Sequence, residues 1–159
     1  MASRPGAAPG KLSFGDSAAL LVRDLFKWRT KNAECRVPLR MKHHDLQVRT
    51  KQFALQVIQF CERLPEDETS RILRRQLLRA GTSVGANYRA VCRARSNADF
   101  INKLRVVEEE CDESLFWMEL LVDNNLVKAA RLGALMKEGN ELLAIVVAST
   151  KTARSSRGA

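Results

Sequence analysis

The segment Gly81-Thr-Ser-Val-Gly85 has the composition of a phosphate-binding loop, with two glycines flanking two hydroxyl side chains. A true P-loop ends in Gly-Lys-Ser/Thr and directly follows a strand, and neither feature occurs here. Ser83 has no histidine nearby in the sequence that would activate it as a nucleophile. The segment is therefore not predicted to catalyse a reaction.

Three carboxylates, Glu109, Asp112 and Glu113, have the i, i+3 and i, i+4 spacing that brings side chains together on one helix face. A di-metal centre in a helical bundle also needs Glu-x-x-His pairs. The only histidines, His43 and His44, precede the segments with helical periodicity, and no Glu-x-x-His occurs. We therefore expect a solvated acidic face, with no metal, no cofactor and no enzymatic activity.

The cysteines Cys35, Cys61, Cys92 and Cys111 form no Cys-x-x-Cys pair. Zinc sites and disulfide frameworks both need closer, patterned spacing. All but the first fall on apolar helical faces, where free cysteine behaves as a small hydrophobic residue. They predict reduced core thiols and a cytoplasmic protein. Since no apolar run approaches the roughly 18 residues of a membrane span, no membrane partner is expected.

The charged residues are segregated along the chain, which has a net charge of +9. The stretch 69–95 contains seven arginines and no acidic residue, whereas 97–123 contains eight acidic residues and two basic ones. Exposed ion pairs contribute only about 0–1 kcal/mol each, so pairing within the chain is a weak reason for this segregation. Pairing between subunits and binding of phosphates are the other two uses.

Arginine forms bidentate hydrogen bonds with phosphate, a geometry that lysine cannot copy. The arginine-rich stretch therefore favours a nucleic-acid partner, either RNA or DNA. The predicted phosphate contacts are Arg74, Arg75, Arg79, Arg89, Arg93 and Arg95. In the alternative reading the protein is an interaction scaffold, and these arginines contact the acidic stretch of a neighbouring subunit.

Apolar residues with helical periodicity predict four helices that must position these charges. Their expected ranges are about Leu46–Leu64, Thr69–Arg93, Asn97–Val122 and Lys128–Thr150. Short connections between such helices predict an all-α, antiparallel up-down four-helix bundle. We assign the bundle to residues 41–152 and a basic flexible tail to residues 153–159.

Two kinds of local signal refine the second and third helices. Thr69 or Ser70 is expected to cap the second helix, and Ser96 with Asn97 the third. Glycine inside a helix costs roughly 1 kcal/mol relative to alanine, so the glycines of the second helix indicate close approach of another backbone. Close helix packing, with a buried hydrogen bond from the last residue, is predicted for Gly81, Ser83, Gly85, Ala86 and Asn87.

Residues 1–40 have a different character from the rest of the chain. Met1–Lys11 is rich in Pro, Gly, Ala and Ser and is predicted to be disordered, and Leu20–Trp28 fits a short amphipathic helix. Eight basic and three acidic residues in 1–40 supply +5 of the net charge of +9. The extension is either a basic interaction arm or the result of a start codon placed too early. The second is favoured because the patterned domain begins directly after Met41.

Several motifs between Leu46 and Thr152 resemble the four-helix-bundle proteins of the 23S rRNA-intervening-sequence type. The most specific are Gln76-Leu-Leu-Arg-Ala, Thr82-Ser-Val-Gly-Ala-Asn87-Tyr-Arg, Ser96, Asp99-Phe100, Lys103-Leu104 and Glu110 with Glu113-Ser114. Residues 1–40 lie outside the resemblance, and would obstruct a ring-shaped assembly.

The resemblance implies a left-handed antiparallel bundle that forms a homo-oligomer, often a pentameric ring, in bacteria. Members are encoded within insertions in large-subunit rRNA genes or stand alone in the genome. Relatives act as accessory proteins that join a reverse transcriptase and nucleic acid in diversity-generating retroelements. The resemblance implies no enzymatic activity.

Overall fold

The computed structural model describes residues 38–155, with side chains from Asp45 onward. This range contains four α-helices and no strand. We number them α1 to α4, and their bounds are Pro38–Cys61, Glu68–Val91, Asn97–Asp123 and Ala129–Ser155. The all-α four-helix prediction is confirmed. The predicted disordered segment and the predicted helix over Leu20–Trp28 lie outside the described residues.

Both outer helices extend beyond their predicted ends. Helix α1 begins at Pro38 instead of after Met41, because the fixed φ of proline suits the first turn of a helix. Helix α4 continues to Ser155, so residues 153–155 belong to the bundle and not to a flexible tail. Ala153 is only 1% exposed, and its carbonyl accepts a hydrogen bond of 2.9 Å from Asn97 Nδ2. These contacts explain why the helix persists.

Side-chain caps fix where α2 and α3 begin. Asp67, and not Thr69 or Ser70, caps α2, since its carboxylate accepts 2.9 Å and 2.6 Å hydrogen bonds from Ser70 N and Oγ. The same bonds lower the pKa of Asp67. Ser96 caps α3 as predicted, accepting from Asp99 N at 3.0 Å. Asp99 Oδ2 in turn accepts a 2.7 Å bond from Arg95 N, which resembles a capping box.

One hydrophobic core joins all four helices, with contributions from the apolar stripes that the sequence predicts. Contacts between neighbouring helices show that they run antiparallel. Along α3, Asn97 bonds Ala153 while Leu115 packs near Gly139 further from the end of α4. The up-down arrangement follows, and the left-handed twist stays a prediction. The largest fully buried side chains include Phe53, Leu77, Leu104, Met118, Leu121, Leu132 and Leu142.

The first and last helices share far fewer contacts than consecutive helices do. Arg49 of α1 bridges them, donating from Nε to Glu138 Oε1 at 2.6 Å and from Nη2 to Glu138 Oε2 at 2.8 Å. It also pairs with Glu141. Because all three side chains are about two-thirds buried, this bidentate pair is less screened than a surface ion pair. It holds α1 against α4.

Candidate nucleic-acid interface

Four arginines share one exposed face of α2 and its continuation past the helix end. Helical geometry turns the chain five times in 18 residues, so Arg75 and Arg93 point the same way. Arg79 and Arg89 lie within half a turn of that direction, and all four residues are exposed. We call this set the arginine face. The opposite side of α2 is buried in the core.

Arg74 does not belong to the arginine face. Its Nη2 donates to the carbonyl oxygens of Leu64 at 2.8 Å and Pro65 at 2.9 Å, and its Nη1 donates to Glu66 Oε1 at 3.1 Å. The side chain is only 20% exposed. Arg74 therefore closes the turn between α1 and α2, which the sequence did not reveal. The structure places it in a stabilising position and not at a phosphate contact.

The adjacent pair Arg74 and Arg75 gives a direct test of this division. Arg74→Ala is expected to lower the free energy of unfolding by about 2 kcal/mol, because two carbonyls and a carboxylate lose a charged donor. Arg75→Ala, with no described partner, is expected to change it by less than about 0.5 kcal/mol. Urea denaturation followed by circular dichroism measures both. Equal losses for the two variants would contradict the assignment.

Arg79 is on the arginine face but is paired within the chain. Its Nη2 contacts Glu113 of α3, and Glu113 Oε1 also accepts a 3.1 Å hydrogen bond from Trp117 Nε1. Since the arginine side chain is 56% exposed, this pair is worth only about 0–1 kcal/mol and a phosphate can compete for it. The remaining predicted contacts, Arg75, Arg89, Arg93 and Arg95, are exposed and form no ion pair within residues 45–155.

A cavity of about 680 Å³ lies where α2 ends and α3 begins. Arg93, Arg95 and Lys103 line it together with Ala90, Ser96 and Asp99. Lys103 pairs with Asp99, and this hydrogen bond, followed by the one from Arg95 N, lowers the pKa of the Asp99 carboxyl. Asp99 is therefore ionised at neutral pH. Sequence reasoning missed Lys103 as a site residue, although its i, i+4 spacing from Asp99 was a signal.

The two glycines of α2 do permit close helix packing. A Cβ built on Gly81 would lie 2.8 Å from both methyl carbons of Val57, and one on Gly85 would lie 3.1 Å from the Thr50 carbonyl oxygen. Helix α1 thus packs directly against backbone at these positions. No alanine fits there without a shift of α1 or of its side chains.

The other three residues in the predicted packing set lie elsewhere. Ser83 and Asn87 are half-buried, and Ala86 is exposed between the arginines of the arginine face. No described residue forms a hydrogen bond with the Asn87 side chain, so the buried hydrogen bond predicted for it is wrong. The neighbouring Tyr88 occupies the core position instead.

The acidic residues of α3 form an exposed surface. Glu109, Asp112, Glu119 and Asp123 are exposed, and none of them forms an ion pair with another described residue. Glu110 is half-buried, and desolvation raises the pKa of its carboxyl. In the part of the chain that the structure covers, no group of three or more His, Cys, Asp or Glu side chains could hold a metal ion.

Three cysteines fall in the described range, and all three are free. Burial raises the pKa of the Cys61 and Cys111 thiols to about 12, and it also raises the pKa of Cys92. Because the thiolate is the reactive form, these side chains act as hydrophobic packing groups. Cys35 lies outside the described residues. None of α1 to α4 combines the length and the apolar character needed to cross a membrane.

The fold and its charges define a small helical bundle with an arginine-rich second helix. Residues 42–148 match the sequence model of the 23S rRNA-intervening sequence protein family, and the chain belongs to that family. A 1.70 Å crystal structure from Bacteroides thetaiotaomicron, described as a protein of unknown function from the S23 ribosomal protein family, is similar to it. The two are 28% identical with a TM-score of 0.64, over 69% of this chain and 97% of the other. No protein with a curated description matches.

Proposed function

We propose that this protein is a non-enzymatic, homo-oligomeric accessory factor that binds nucleic acid through its arginine face. One observation carries the proposal: Arg75, Arg89 and Arg93 share an exposed helix face and have no acidic partner within the described residues. Unpaired arginines of one sign repel each other, and a phosphate backbone supplies the charge that relieves this repulsion. A ring of subunits, the pentamer that the family resemblance implies, would repeat the face around its circumference.

Binding measured against salt concentration tests the proposal. Fluorescence anisotropy with a short single-stranded RNA should show a linear fall of log affinity with log salt. Each neutralised phosphate contributes about −0.7 to the slope for single strands, so four arginines predict a slope of about −3 per subunit engaged. A DNA strand of the same sequence should behave similarly, because the contacts are to phosphate. A flat slope, or no binding at low salt, would refute the proposal.

The second candidate is an interaction scaffold, in which the arginine face pairs with the acidic surface of α3 on a neighbouring subunit. The observation that favours it is the exposure of Glu109, Asp112 and Glu119, which find no cation among the described residues. Complementary charge sets partner choice and register in such interfaces more than it sets affinity. A reverse transcriptase is the further protein partner that the resemblance suggests for either function.

A further inference from the structure

The end of the bundle at the α2–α3 junction concentrates positive charge from three helices. The antiparallel arrangement brings the last turn of α4 to the same end, as the Asn97–Ala153 hydrogen bond shows. The only described acidic residue close to the junction is Asp99. The opposite end, with Glu62, Glu66, Asp67 and Glu68, mixes both signs. We call the first the basic end; its cations are Arg89, Arg93, Arg95, Lys103, Arg105, Lys151 and Arg154.

The cavity at the α2–α3 junction opens within this basic end. Its volume of about 680 Å³ is in the range of small-molecule sites, which is about 300–1,000 Å³. Arg93, Arg95 and Lys103 contribute three positive charges to its lining, and the ionised Asp99 removes one. The two arginines have no described acidic partner, so their guanidinium forks remain available to a ligand.

We propose that this cavity binds a phosphate monoester, the terminal phosphate of a nucleic-acid strand. The proposal rests on the nucleic-acid-binding function and names which part of the strand the protein selects. A phosphate monoester carries a charge of about −1.5 to −2 at neutral pH, which matches the surplus of positive charge in the lining. An internal phosphodiester carries a single charge. The volume also accommodates the end nucleotide that bears the phosphate.

Asp99 adjusts this selectivity. Its carboxylate holds Lys103 at the cavity wall, but its negative charge also opposes every bound phosphate. Asp99→Asn retains an oxygen that can accept the Arg95 N–H bond and removes the opposing charge. We expect this variant to bind phosphate-ended and hydroxyl-ended strands several-fold more tightly, in contrast to the arginine variants.

The test compares a short single-stranded RNA with a 5′-phosphate, the same RNA with a 3′-phosphate, and a hydroxyl-ended RNA one nucleotide longer. The longer strand compensates for the extra charge of the terminal group. The intact protein should bind at least one phosphate-ended strand about tenfold more tightly, the effect of one lost charged hydrogen bond. Arg93→Ala and Arg95→Ala should remove the preference. Arg75→Ala, at the other end of α2, should weaken all strands equally and keep the preference.

The outcomes separate this inference from the proposed function. If the strands bind with a steep salt slope but without end preference, the strand-end assignment is wrong and the arginine face stands. If no strand binds, both fail. A nucleoside monophosphate that competes as well as the phosphate-ended strand would show that the cavity binds free nucleotides, and would also overturn the assignment. Circular dichroism of each variant excludes loss of fold as the cause.

Discussion

Replacing Gly85 with leucine is expected to destabilise the protein by about 3 kcal/mol. A side chain at this position would begin 3.1 Å from the Thr50 carbonyl oxygen and 3.6 Å from the Lys51 Cα, both of which are backbone atoms. Backbone cannot rotate away as a flexible side chain can, so α1 must move off α2 and open the core. Overpacking of this kind costs about 1–3 kcal/mol, which exceeds the gain of roughly 1 kcal/mol from removing a helical glycine.

Gly133 provides the matched control for this substitution. It is an exposed residue of α4, and a Cβ built on it meets no atom within 4 Å. Gly133→Leu is therefore expected to leave stability unchanged or raise it by up to about 1 kcal/mol through helix propensity. Chemical denaturation of both variants measures the difference. If Gly85→Leu were as stable as Gly133→Leu, the close approach of α1 and α2 would not be what the glycine is for.

Apolar periodicity was sufficient to predict the helices and their antiparallel order. The four stripes recur at three- and four-residue spacing, and short turns leave only neighbouring helices to cover them. Two glycines in α2 signalled a close backbone because glycine inside a helix is unfavourable without such a reason. Cap assignment was less secure, since Asp67, Thr69 and Ser70 all carry capping oxygens and only the geometry selects Asp67.

The candidate site was only partly predictable, for a physical reason that three residues illustrate. Small size does not tell which way a residue points, so Ala86 was grouped with the glycines although it lies on the arginine face. Its spacing of eleven from Arg75, about three turns, was the available signal. Arg74 and Lys103 acquire their roles from a turn and from a helix junction. Contacts of that kind depend on tertiary geometry and leave no periodic trace in the sequence.

Reversing two charges of the arginine face, with Arg89→Glu and Arg93→Glu together, is expected to lower nucleic-acid affinity at least about a hundredfold at low salt. The slope of log affinity against log salt should also become shallower by about 1.4, because two phosphate contacts are lost. Neither arginine has a described partner, so the fold should be retained. Anisotropy titration measures binding, and light scattering measures the mass of the assembly in the same samples.

The control reverses the same number of charges on another helix, with Arg131→Glu and Lys137→Glu on α4. Both residues are exposed, and neither pairs with a residue that the structure describes. This variant has the same net charge, so any effect of overall charge appears in both and cancels in the comparison. If only the α2 variant loses nucleic acid while its mass is unchanged, the arginine face binds phosphate directly. If it becomes monomeric and Glu109→Arg with Asp112→Arg restores the assembly, the face instead pairs with α3 of a neighbouring subunit, and the scaffold function is the correct one.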